Sequence, residues 1–65
     1  MKELIAKNFK QLVICLKFLH AEKIEYLAIN IIEDVSNKKI IYQIVVDTDD
    51  DTYEVVKEKY RILIS

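Results

Sequence analysis

The chain of 65 residues contains neither glycine nor proline. Glycine is the residue that adopts positive φ without steric cost, so every tight turn here has to be made by side chains that tolerate it less well. The same absence removes whole classes of chemistry. Phosphate loops, dinucleotide-binding turns and nucleophile elbows each need glycine where the backbone approaches a ligand or bends sharply.

Length sets the next limit: residues 1–65 read as one small domain. Such a domain buries only about 60% of the surface of its unfolded chain, and a core of that size supplies roughly 3–5 kcal/mol. No covalent or metal staple is legible. Cys15 is the lone cysteine and His20 the lone histidine, which excludes a disulfide and makes a zinc set implausible. With 52% of the chain hydrophobic, self-association is the expected remedy, because it would bury apolar surface that one copy leaves in water.

An unpaired cysteine fits a reducing compartment, so the reading is cytoplasmic. The apolar stretch Leu12–Leu16 is followed by Lys17 and His20 with no small-residue cleavage site, unlike a signal peptide. It also falls far short of the ~20 apolar residues that span a bilayer, and no membrane partner is expected.

Charge is unevenly placed. Residues 1–24 carry five lysines against Glu3 and Glu22, a net of +3; residues 25–65 carry five basic against nine acidic groups, a net of -4; together they give the overall -1. A helix with +3 spread along it is a weak footprint for nucleic acid.

Ile5, Phe9, Leu12, Val13, Leu16 and Leu19 recur at spacings of three and four, which predicts an amphipathic helix over residues 2–21. Leu4, Ile14 and Phe18 form a second apolar strip outside its main face. Residues 24–35 fit a helical period as well as a strand, but four isoleucines and a tyrosine favour the strand. Ile40–Val46 is β-branched almost throughout, and Ser36-Asn37-Lys38-Lys39 has turn chemistry. The expectation is therefore a β-hairpin with strands near 25–34 and 39–47, apolar on both faces, with Asn37 as the residue expected in the left-handed conformation.

After the acidic stretch Asp47–Thr52, the spacing of Tyr53, Val56, Tyr60, Leu63 and Ile64 predicts a closing helix, with Asp51 and Glu54 spaced as a capping box. A third strand over 59–64 is the competing reading. The predicted fold class is α+β: an α-β-β-α unit with an antiparallel hairpin, completing a four-stranded sheet and its core by homodimerisation. A lone hairpin is marginal in water. The expected oligomer interface is Leu4, Ile14, Phe18, Tyr26 and Tyr42.

Few residues carry candidate chemistry. Asp47, Asp49, Asp51 and Glu58 match positions 1, 3, 5 and 12 of the calcium-loop pattern. Thr52 stands where that loop needs glycine and Glu54 where it has an apolar residue, so a solvated helix start is the simpler reading, and no metal or other cofactor is expected. Asp47, Asp49, Asp50, Asp51 and Glu54 are instead the expected contact for a basic partner protein. Cys15 and His20 lie five residues apart on the first helix and point about 140° from one another, which excludes a dyad within that helix.

The function expected is a small homo-oligomeric protein–protein interaction module that binds and modulates another macromolecule without catalysis. An inhibitor of a host protein, encoded by a phage or mobile element, would be one such module. The alternative is a nucleic-acid-binding regulator that uses the basic first helix, with Lys2, Lys7, Lys10 and Lys17 on its polar side.

Overall fold

The computed structural model describes residues 2–65 as five elements. These are β1 (Glu3–Ala6), α1 (Phe9–Ala21), β2 (Glu25–Asp34), β3 (Lys39–Asp47) and α2 (Asp50–Ile64). The fold is α+β, with one three-stranded antiparallel sheet in the order β1-β3-β2. No helix among the described residues is long and apolar enough to cross a membrane.

The first correction concerns residues 2–21, where one long helix was expected. Glu3–Ala6 is a strand, and the chain turns into α1 only at Asn8. Leu4 and Ile5 suit either period, and pairing decides between them: Leu4 lies opposite Ile44 and Ala6 opposite Tyr42 on β3. Helix initiation is then fixed locally. The Gln11 backbone N–H donates to the Asn8 side chain at 2.9 Å, and Gln11 Oε1 accepts from the Lys7 N–H at 2.9 Å. Two otherwise orphaned donors at the helix start are thus satisfied reciprocally.

At its other end α1 stops without glycine. Lys23 takes φ 59°, the Lys23 N–H donates to the His20 carbonyl at 3.1 Å, and the Ile24 N–H donates to the Leu19 carbonyl at 3.0 Å. This pair of bonds defines the Schellman terminus, in which the left-handed position is ordinarily glycine.

The hairpin has the predicted limits, Glu25–Asp34 and Lys39–Asp47. Its turn differs from expectation, since Lys38 rather than Asn37 carries the positive φ, at 54°. Asn37 is engaged otherwise: its backbone N–H and its Nδ2 both donate to the Asp34 carboxylate. Those hydrogen bonds, the side-chain one foremost, hold the Asp34 carboxyl below its usual range. Near its start β2 is interrupted by a bulge between Tyr26 and Ala28, which leaves Leu27 as the extra residue.

The closing segment is a helix, as the spacing predicted, and not a strand. Its cap is Asp49 rather than Asp51, because the Asp49 carboxylate accepts the Thr52 N–H at 3.1 Å and thereby starts the helix at Asp50. Asp50 and Asp51 fall in the first turn and Arg61 in the last, where each sign suits the helix dipole.

Both helices pack on one face of the sheet. The core joins Leu4, Ala6, Ile44 and Val46 from the strands to Leu12, Cys15 and Leu19 of α1 and to Val56 and Tyr60 of α2. On the other face, Asn30 Nδ2 donates to Gln43 Oε1 at 2.8 Å and Gln43 Nε2 to a Glu3 carboxylate oxygen, a polar line across all three strands.

Candidate interaction surface

The two edges of the sheet are treated differently. Because the Val46 N–H donates to the Lys2 carbonyl, the Lys2 and Leu4 carbonyls face β3, while those of Glu3 and Ile5 face outward. Helix α2 satisfies both outward groups. The Tyr53 hydroxyl donates to the Glu3 carbonyl at 2.7 Å and the Tyr60 hydroxyl to the Ile5 carbonyl at 3.0 Å. The β1 edge is therefore closed by two tyrosines seven residues, or two helical turns, apart.

The β2 edge has no such cover. Along the ten residues of this strand only Ile29 and Asp34 are even half-buried. Leu27 and Ile31 are 67% and 69% exposed, and Tyr26, Ile32, Val35 and Ile40 also stand in water. Long, apolar, unprotected edge strands are the template on which another strand pairs, and proteins normally blunt them. Leu27, Ile31, Ile32, Val35 and Ile40 were absent from the expected interface. The signal for them was present in the apolar character of both hairpin faces.

Gross dimensions agree with incomplete burial. The accessible surface is 4869 Å², whereas a compact monomer of 7.7 kDa exposes about 4300 Å². The radius of gyration is 11.7 Å, against about 10.7 Å for a compact domain of this length.

Of the expected interface residues, three pack inside the chain, Tyr42 among them, half-buried against the core. Leu4 is 3% exposed and belongs to the core, and the Phe18 ring lies 6.1 Å from that of Tyr60, centre to centre. Leu4 is buried by the strand pairing that an α-β-β-α unit lacked, and Phe18 is covered by α2, which that unit already contained. Ile14 is also half-buried, and Tyr26 is exposed.

The five acidic residues gather around the start of α2 but are mostly engaged locally. Asp49 caps the helix, Asp50 pairs with Lys2 at 3.0 Å and Glu54 with Lys57 at 3.2 Å. Bonding by Thr52, from its side chain above all, keeps the Asp49 carboxyl below its usual range. The Asp47 and Asp51 carboxylates make no ion pair or hydrogen bond among the described residues. The calcium-loop spacing does not become a loop: Asp47 ends β3, Asp49 is the cap, and Asp51 and Glu58 lie on α2. No group of three His, Cys, Asp or Glu side chains converges among the described residues.

Of the lysines assigned to the basic helix, Lys2 precedes β1 and is held by Asp50, and Lys7 precedes the Asn8 cap. Only Lys10 and Lys17 remain on α1, both exposed. That halves the row on which a phosphate backbone would be read.

Cys15 is fully buried, and its thiol is pushed up to about 11 by burial, against a smaller opposing effect of the hydrogen bond with Tyr60. A thiol in that state is a poor nucleophile. Burial likewise raises the Tyr60 hydroxyl, with Cys15 adding to the effect. His20 is exposed in the last turn of α1, where it helps to line an open depression of about 290 Å³ with Leu16, Ile24, Glu25 and Tyr26. Its polar members, His20 and Glu25, do not meet the buried thiol.

Comparison with protein-family models, with curated proteins and with solved structures yields no match. The reading of function therefore rests on the surface itself.

Proposed function

We propose that the protein is a small cytoplasmic protein–protein interaction module, homo-oligomeric, which binds and modulates another macromolecule without catalysis. The observation that supports this reading is the asymmetry of the sheet, whose β1 edge is closed by Tyr53 and Tyr60 while the outer edge of β2 is open and apolar among the described residues. Self-association shields that surface from water, and the paired form then presents a larger, more rigid platform to a further partner. Apolar area is the driving term, at about 25 cal/mol per Å² removed from water.

Light scattering on purified chain tests the homo-oligomeric reading. At micromolar concentration the expected mass is at least twice the 7.7 kDa of one chain. A single-chain mass maintained up to about 100 μM would overturn it.

A further inference from the structure

We propose that the second copy of this chain pairs along β2, antiparallel, about a two-fold axis through Asn30, so that two three-stranded sheets merge into one of six strands. This rests on the homo-oligomeric reading above and adds to it the strand, the register and the residue on the axis.

The edge follows by elimination within the sheet. β3 is central and the outward carbonyls of β1 are taken by Tyr53 and Tyr60, which leaves the outer side of β2. An antiparallel two-fold pairing places its axis perpendicular to the sheet and keeps both helical layers on the same side. Opposed residues must then point to the same face. From Ala28 to Asp34 the odd-numbered residues share the face of Ile44, where the helices lie, and the even-numbered ones share the opposite face. The axis has to pass through a residue and not between two.

Sequence then selects the residue. The regular part of β2 begins after the bulge at Leu27, and its uncharged part ends before Glu33. That leaves Ala28-Ile29-Asn30-Ile31-Ile32, a run of five centred on Asn30. With the axis there, Ala28 meets Ile32, Ile29 meets Ile31 and Asn30 meets its own copy, which is apolar against apolar with one amide pair able to bond across the axis. Centred on Ile31, the ladder would set Ile29 against Glu33 and Ala28 against Asp34. Centred on Ile29, it would run into the bulge after three residues. The three acidic residues of β2, Glu25, Glu33 and Asp34, carry no basic counterpart on that strand. Only the Asn30 register uses the whole neutral run while leaving them outside it.

Engineered cysteines read this geometry directly. Residue 30 and its copy would have Cα atoms about 4.5–5.5 Å apart, within disulfide range, whereas residue 28 and its copy would be about 13–14 Å apart, beyond it. Asn30→Cys and Ala28→Cys are compared under mild oxidation, with circular dichroism to verify folding and light scattering on the unmutated chain. The native Cys15 is fully buried and does not interfere. The expected result is a disulfide-linked dimer of Asn30→Cys that forms at least ten-fold faster than that of Ala28→Cys. If light scattering gives a dimer but the two variants cross-link equally, or Asn30→Cys fails to link, this register is wrong while the homo-oligomeric reading stands. A monomer by light scattering removes both.

Discussion

Replacing Tyr60 with Phe removes the hydroxyl that closes the β1 edge. The side chain is 4% exposed and its hydroxyl donates to the Ile5 carbonyl at 3.0 Å. The ring keeps its volume in Phe, so no cavity forms, and what is lost is the donor to a part-buried backbone acceptor together with the hydrogen bond to Cys15. That costs about 1–3 kcal/mol. For a domain of this size each kcal/mol corresponds to about 4–8 °C in Tm, so thermal unfolding followed by circular dichroism is expected to shift down by roughly 5–20 °C. Tyr53→Phe is the internal control. Its ring is half-buried and water can replace its bond to the Glu3 carbonyl, so about 0.5–1 kcal/mol is expected. The two hydroxyls serve different carbonyls, and the double variant is expected to lose close to the combined amount. A Tyr60→Phe chain that melts within 1 °C of the parent, or one more stable than Tyr53→Phe, would refute the assignment of Tyr60 as the edge closure.

Three further outcomes follow from local geometry. Lys23→Gly relieves a left-handed lysine that costs about 1–2 kcal/mol, less about 0.4–1 kcal/mol for the greater freedom of the unfolded chain; urea unfolding should show a net gain of about 0.5–1 kcal/mol, and a loss would contradict the Schellman geometry. Asn8→Ala removes the cap of α1 and is expected to cost about 1 kcal/mol in the same assay. The buried Cys15 thiol has its proton affinity raised from 9.0 to about 11, so above pH 9 the unfolded chain holds fewer protons than the folded one and stability falls. Its contribution is complete below pH 9 and is lost between pH 9 and 11, on the order of 2 kcal/mol, and Cys15→Ala should flatten that alkaline limb of the urea-denaturation profile.

Much of the fold was legible because two periods were strong. Ile40–Val46 is too β-branched to be read as helix, and the recurrence of Tyr53, Val56 and Tyr60 favoured helix over the strand that the β-branched ending also allowed. The strand at residues 3–6 was missed because Leu4 and Ile5 satisfy a helical period and a strand period equally. What separates them is a partner, Ile44, forty residues away. The one local clue was Asn8 followed three residues later by Gln11. Without glycine, the left-handed positions could not be located by composition, and both fell on lysines whose side chains reach solvent while their backbones bear the strain.

The apolar character of both hairpin faces was legible in the sequence, and the structure leaves Leu27, Ile31 and Ile32 exposed there. Leu4 turns inward because it lies on a strand that the helical reading of residues 2–21 did not include, and Phe18 because it packs against Tyr60 of the closing helix. Ile31 stays exposed because the helices cover only Ile29 on its face of β2, whereas Ile32 lies on the face opposite the helices and Leu27 at the bulge.

Residue-resolved hydrogen exchange at two protein concentrations tests the open edge most directly. Those β2 amides that point away from β3 should exchange rapidly in dilute solution and become strongly protected when the chain is concentrated, while the β1 and β3 amides stay unchanged. Equal protection of β2 at both concentrations, high or low, would contradict the account.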